Sequence, residues 1–265
     1  MESSGGQPIP RWAASLATAS WQSMNTALGL LAQVDAVFGV RCPWDVCAMT
    51  KAEAYVCPLG DFTQAGVVTI ADHLRSYWHL MRTATPALTA FTVLRAAVET
   101  TASMGWVWSE SDSEERHRRA LLSTKRDVVT FTAGGSADPK HRYPTQRLGV
   151  DPIKAAELLG LSMTGSAPKP TKLMVHIDAQ GLYAVLSGAA HGSREVVGVI
   201  VDNTADGGQR IVPHRRLSEL TWRDAEKVIK STLAQIRKDL SGFERHRGAT
   251  PPSLPEVGAG SEGRR

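Results

Sequence analysis

The chain has 265 residues, of which 42% are hydrophobic and 21% are charged, which is typical of a soluble globular protein and not of a disordered chain. It contains no run of about 18 apolar residues, so no membrane-spanning helix is predicted, and its first residues lack the pattern of a secretory signal. The net charge of +4 permits RNA or another acidic partner without requiring one. We therefore expect a cytoplasmic protein that does not contact a membrane.

The N-terminal part divides into three stretches. Residues 1–9 are rich in Gly, Ser and Pro and are predicted to be disordered. Apolar residues recur at steps of three and four over residues 10–38, which predicts a helix. Residues 40–62 are predicted to be irregular and hold every cysteine of the chain. Their odd number does not suggest a disulfide framework and their spacing matches no common zinc site, so we expect reduced thiols and no metal at Cys42, Cys47 and Cys57.

Three early tryptophans bear on the oligomeric state. Trp12, Trp21 and Trp44 would favour a homodimer if they were exposed together. Burial in the core is the interpretation that we favour.

Two helices are predicted next, over residues 65–83 and 86–108. A short connection between them predicts antiparallel neighbours. The second helix has a broad apolar arc, and Arg95 and Glu99 lie at its edge with the i, i+4 spacing at which helical side chains meet. A charge beside an apolar face is costly unless it is paired, so an Arg95–Glu99 pair is expected.

A fourth helix is predicted from Ser113, with acidic residues in its first turn and basic residues after them. The clustered charges on this helix are interpreted as a solvated face. Residues 133–172 are predicted to be a loop-rich insertion. They include one short helix, with Asp151 as its N-cap and Pro152 in its first position.

The stretch Gly181 to Gly192 is predicted to be a helix that ends at Gly192. Tyr183, Ser187 and His191 follow one another at intervals of four residues. A phenol, a hydroxyl and an imidazole therefore share one strip of this helix.

The C-terminal part is predicted to contain a small β-hairpin near residues 195–213, a helix over 217–243 and a disordered tail over 246–265. Ser218 or Thr221 is the expected N-cap of that helix. The predicted fold is mainly α, a bundle of about six helices with a small hairpin. One helical domain is expected over residues 10–245.

The chemistry-bearing candidates are Arg95, Glu99, Tyr183, Ser187 and His191. The favoured interpretation is a buried hydrogen-bond network that ties two helices together. The alternative is a ligand-binding or catalytic site. Ser187 and His191 could also be interpreted as nucleophile and base with Glu99 as the orienting acid, but two groups one helical turn apart rarely give that attack geometry. The chain has no nucleophile elbow, phosphate loop, H-E-x-x-H motif or dinucleotide fingerprint, and no cofactor is expected.

The order of several short motifs resembles a group of uncharacterised bacterial helical proteins, which is similar in turn to HEPN-type helical bundles. Many HEPN proteins are ribonucleases associated with toxins or defence. The motifs are R-x3-E, two tryptophans, E-x3-R, P-x-x-T and Y-x3-S-x3-H-G. In this chain they are Arg95–Glu99, Trp106 and Trp108, Glu115–Arg119, Pro168–Thr171 and Tyr183–Ser187–His191–Gly192.

One departure from that family is important. HEPN nucleases carry R-x(4–6)-H, whereas Arg75–His79 and Arg210–His214 are each one residue too short and no other pair fits. A nuclease would therefore need Arg95 and His191 from separate helices.

Three functions remain open at this point. The leading hypothesis is a non-enzymatic binding or regulatory protein, connected by the resemblance with bacterial stress or defence. The second is a metal-independent ribonuclease or toxin that uses Arg95 and His191. The third is a small-molecule-binding protein whose pocket lies over Arg95 and Glu99. The partner is unknown at this stage: RNA, a protein partner and a homodimer are all open.

Overall fold

The structure is a computed structural model that describes residues 9–38, 48–49, 55–83, 88–133, 151–194, 196, 201–203, 209–211 and 215–246. These residues are mainly helical, which confirms the predicted fold class. This part of the chain contains eight α-helices, more than the six or so expected. They are α1 (Arg11–Phe38), α2 (Pro58–Met81), α3 (Leu88–Trp108), α4 (Ser113–Ala133), α5 (Pro152–Leu159), α6 (Pro170–Leu173), α7 (Gln180–Ala190) and α8 (Arg215–His246). A 3₁₀-helix, Met174–Ile177, joins α6 to α7.

Helix α3 packs against α2, α4, α7 and α8 and so lies at the centre of the bundle. The apolar arc predicted for it is buried from Phe91 to Trp106. Burial also extends beyond that arc, to Ala97, Thr101 and Met104, because helices cover α3 on several sides. This central position brings α3 into contact with the helix that carries the other candidate residues.

Helix α2 begins earlier than predicted. Residues 58–62 belong to the helix and not to the irregular segment, and Pro58 occupies its first turn, where a missing backbone N–H costs nothing. Gly60 lets this turn pack on the end of α1, because a Cβ there would lie 2.9 Å from the Phe38 ring. The apolar face of α2 is buried, including Leu74 and Tyr77.

The charges of α4 do not all form a solvated face, so that prediction is wrong for part of the helix. Arg116 is 8% exposed and His117 is fully buried. Arg116 donates to Asp239 of α8 at 3.0 Å, and its guanidinium lies 5.0 Å from the centre of the Trp108 ring. A charge that finds a partner and an aromatic face can be buried where an unpaired one could not.

The expected caps are confirmed for α5 and wrong for α8. The Asp151 side chain accepts a hydrogen bond from the backbone N–H of Ile153, and Pro152 follows it at the start of α5. Helix α8 begins at Arg215, so Ser218 and Thr221 lie inside it and cap nothing. The Thr221 hydroxyl instead donates to a carbonyl one turn earlier.

Four short strands form two antiparallel pairs. β1 (Ala48–Met49) pairs with β2 (Tyr55–Val56), and β3 (Val201–Asn203) pairs with β4 (Gln209–Ile211). The residues that join β3 to β4 lie outside the described residues, so the predicted hairpin turn is not tested. The same holds for Cys42, Cys47 and Trp44, for residues 1–8, for most of the segment between α4 and α5, and for residues 247–265.

The predicted burial of the early tryptophans and cysteines is confirmed for some of the described residues and wrong for others. Cys57 is a buried thiol that forms no disulfide. Trp12 is half-buried, as the core interpretation requires in part, but Trp21 is 42% exposed, which contradicts it. None of the described helices is long and apolar enough to cross a membrane.

Candidate functional site

Helices α3 and α7 bring four of the five candidate side chains together. Arg95 and Glu99 project from α3 one turn apart. Tyr183 lies on the first turn of α7, and His191 is the residue that caps the C-terminal end of that helix. Residues separated by about 90 positions in the chain thus meet because the strip predicted on α7 packs against the edge of the α3 arc.

The Arg95 guanidinium is the centre of the cluster. Its Nε donates to Glu99 Oε1 at 2.8 Å, one terminal nitrogen donates to Tyr183 Oη at 3.1 Å, and the other lies 3.0 Å from His191 Nε2. The Tyr183 hydroxyl donates in turn to Glu99 Oε1 at 3.0 Å. The guanidinium carbon also lies 5.3 Å from the centre of the Tyr183 ring. We call these four side chains the Arg95 cluster.

Hydrogen-bond chemistry fixes the protonation of the cluster. A guanidinium has no acceptor, so His191 Nε2 must accept from Arg95, and the imidazole in this arrangement is neutral with its proton on Nδ1. Burial, followed by the hydrogen bond to Glu99, raises the pKa of Tyr183 and keeps it a phenol. Burial opposes the charge of Arg95, but the bonds to Glu99 and Tyr183 outweigh it and raise the pKa of Arg95 overall.

The cluster is satisfied but not sealed from solvent. The side chains of Arg95 and Glu99 are 20% and 30% exposed, and Tyr183 is buried. His191 is exposed at the surface. A purely structural network would be fully buried, so this one has a solvent-facing end, and that end is the imidazole.

A cavity of about 470 Å³ lies along α7 beside that imidazole. Ser187 lines this cavity, which is where the structure places the fifth candidate residue. Gln180 and Gly188 also line it and were not among the candidates from the sequence, and Thr171 was named there only as the end of the P-x-x-T motif. The lining residues are Thr171, Gln180, Tyr183, Ala184, Ser187, Gly188 and His191.

A tight turn after α7 holds His191 in place. Gly192 has φ 66°, a left-handed conformation that suits glycine, as predicted for this helix end. The backbone N–H of Ser193 donates to the carbonyl of Gly188 at 2.7 Å, which folds the chain back across the helix. Gly188 permits this close approach, because a Cβ there would lie 2.9 Å from Ser193 Oγ.

The tryptophans and the E-x3-R motif of the resemblance lie elsewhere in the bundle. Arg119 donates to the carbonyl of Trp106 and to Glu110 and Glu115, and it brackets the connection between α3 and α4. None of these side chains lines the cavity. They brace the end of α3 that lies away from Arg95.

The described residues contain no group of three His, Cys, Asp or Glu side chains that could hold a metal ion. Comparisons with protein-family models, curated proteins and solved structures found no match to this chain. The function must therefore be argued from the Arg95 cluster and its cavity.

Proposed function

We propose that the protein is a non-enzymatic binding or regulatory protein whose cavity along α7 takes a small polar molecule. The observation that carries this proposal is the solvent-facing end of the Arg95 cluster at His191, beside a cavity of about 470 Å³. Pockets for small ligands span roughly 300–1,000 Å³ and combine apolar walls with a few fixed polar groups. The hydroxyl, amide and imidazole groups of this cavity supply those polar groups.

The charges of the site favour an uncharged ligand. Glu99 lies 2.8 Å from Arg95 and compensates its charge, and the residues that line the cavity carry no formal charge while His191 is neutral. A strongly anionic ligand would have to compete with Glu99 for the guanidinium. Because Arg95 occupies His191 Nε2, the imidazole offers the proton on Nδ1, which suits a ligand that presents a hydrogen-bond acceptor.

One contact favours the ribonuclease alternative, and two features of the site oppose it. An Arg–His pair in contact is what the HEPN resemblance implies, and Arg95 and His191 are 3.0 Å apart. However, a general base needs a free lone pair, and the Nε2 lone pair of His191 is engaged by Arg95. Glu99 also neutralises the cation that would have to bind the scissile phosphate. A role in bacterial stress or defence rests on the resemblance alone.

The proposal is tested by blocking the cavity from its exposed side. Ala184 lines the cavity and is exposed on α7, so Ala184→Trp fills the space at a helix position where folding tolerates the change. Ala234→Trp is the matched control, because Ala234 is exposed on α8 and does not line the cavity. The probes are a library of fragment-sized neutral amides, alcohols and heterocycles, with inorganic phosphate and a short RNA for comparison.

We expect ligand-observed NMR to find neutral fragments that bind the wild type and Ala234→Trp but not Ala184→Trp. Fragments that bind all three proteins equally, or none that bind the wild type, would refute the proposed cavity. RNA cleavage by the wild type that His191→Ala abolishes, with the melting temperature unchanged, would establish the ribonuclease alternative instead.

A further inference from the structure

The outer face of α1 is exposed and carries no charge. Not one of residues 12–34 is acidic or basic, although α1 lies at the surface of the bundle along its length. Trp21 and Leu28 on this face are 42% and 43% exposed, and Asn25 between them is exposed as well. Surfaces of soluble domains usually carry roughly 25–35% charged residues, and interfaces between proteins are depleted of charge and enriched in aromatic residues.

Helix α2 continues this face on one side. The two helices run antiparallel: the rings of Trp21 and Trp78 lie 5.1 Å apart at one end, and Gln64 donates to Asp35 at 3.0 Å at the other. Val68 lies on α2 between those two contacts and is 46% exposed. Val68 therefore extends the apolar surface onto α2, whose exposed side also carries the Asp72–Arg75 ion pair one to two turns further along.

We propose that this face is a homodimer interface in which α1 packs antiparallel against α1 of a second copy, about a twofold axis near Asn25. Trp21 lies four residues before Asn25 and Leu28 lies three residues after it, on the same side of the helix. Reversal of the second helix brings Trp21 of one copy against Leu28 of the other, and the twofold axis repeats that contact. Each Asn25 amide can donate to and accept from its own symmetry mate.

Two features favour a second copy as the occupant. The chain has a net charge of +4, so two copies repel each other except through a face that carries no charge. The charged residues that bound the uncharged run are opposite in sign, Arg11 at one end and Asp35 at the other, so antiparallel packing opposes unlike ends.

Disulfide crosslinking tests the register of this dimer. An Asn25→Cys variant places two thiols at the twofold axis, where a disulfide can form. A Thr18→Cys variant is the matched control, because it lies on the same exposed face about 10 Å further along, which separates its two copies by about 20 Å. Wild-type protein under the same oxidant measures the background from the native cysteines. We expect a covalent dimer with Asn25→Cys well above that background, and none beyond it with Thr18→Cys.

Analytical ultracentrifugation tests the energetics. Trp21→Glu places like charges on both sides of the interface and is expected to weaken the dimer roughly 100-fold or more. Leu158→Glu places the same charge at an exposed apolar position of α5, and we expect it to leave the dimer affinity unchanged. A wild-type monomer at up to about 100 μM, or equal crosslinking at both cysteine positions, would overturn the proposal. The proposal would also be overturned if the Trp21→Glu variant melted at the wild-type temperature and still formed the dimer.

Discussion

The ion pair between Arg95 and Glu99 has a counterpart elsewhere in the chain that differs mainly in exposure. Arg215 and Glu219 on α8 are also i, i+4 and also 2.8 Å apart, but their side chains are 69% and 41% exposed, against 20% and 30% for the pair on α3. Two double-mutant cycles, Arg95→Met with Glu99→Gln and Arg215→Met with Glu219→Gln, therefore compare the same interaction in two environments.

The expected coupling energies follow from exposure. Exposed ion pairs contribute about 0.2–1 kcal/mol, and removal of one partner from a fully buried pair costs about 3–5 kcal/mol. The pair on α3 lies between these limits, with residual solvent screening, and Tyr183 bonds both partners. We expect a coupling free energy of about 1.5 kcal/mol for Arg95–Glu99 and below about 0.5 kcal/mol for Arg215–Glu219.

Urea denaturation of the wild type and the six variants measures these couplings, with unchanged m-values as the sign that the unfolded state is comparable. The Arg95→Met single variant is expected to lose about 4–8 °C in melting temperature if it loses about 2 kcal/mol. Equal coupling in the two cycles would show that the Arg95 cluster is energetically an ordinary surface contact. Our account of how α3 holds α7 would then be wrong.

Three further predictions concern the turn after α7, a buried imidazole and the contact between α4 and α8. Gly188→Ala introduces a Cβ 2.9 Å from a side-chain oxygen of the turn, so we expect this variant to be less stable and to lose ligand binding. Gly181→Ala on the same helix is the control, because its Cβ meets nothing within 4 Å. We expect calorimetry to show that Gly181→Ala is as stable as the wild type or more stable. Burial lowers the pKa of His117 below its ordinary value of 6.5. As the pH falls, the unfolded chain therefore binds the proton before the folded chain does, and stability decreases below about pH 6.5. We expect His117→Gln to reduce the pH dependence of the urea unfolding midpoint between about pH 8 and pH 5. Asp239→Ala leaves the Arg116 guanidinium without its carboxylate at 10% side-chain exposure, and we expect a loss of about 3 kcal/mol in chemical denaturation; a loss below about 1 kcal/mol would contradict the pairing.

Periodicity predicted which residues share a face, but not which helices meet. The i, i+4 spacing of Arg95 and Glu99 and the strip on α7 follow from 3.6 residues per turn, and both are present in the structure. The burial of Arg116 was not predictable in this way, because its partner Asp239 lies 123 residues further along the chain. Local charge patterning on α4 indicates a solvated face unless that long-range contact is known.

The early start of α2 and the exposure of Trp21 were missed for different reasons. Pro58 and Gly60 are loop-like in composition, yet proline suits the first turn of a helix and this glycine makes room for Phe38. Trp21 is apolar, and apolarity alone favours burial. Only the packing of α1 on α2 shows that the indole lies at the outer edge of their contact, against Trp78.

The contact between Arg95 and His191 connects the Arg95 cluster to the proposed ligand. Whether this contact raises or lowers the affinity for the ligand can be measured. If Arg95 holds His191 in the tautomer that donates to the ligand, Arg95→Met should weaken fragment binding about tenfold, because the imidazole loses its orientation. If instead the ligand has to displace Arg95 from Nε2, the same variant should bind more tightly, because that bond no longer has to be broken. Since Arg95 donates to three partners at once and keeps the cluster satisfied without a ligand, we expect the first result in fragment titrations by NMR. Tighter binding by Arg95→Met would mean that the ligand contacts Nε2 of His191 and not Nδ1. The Nε2 lone pair would then be available for catalysis, as a ribonuclease requires.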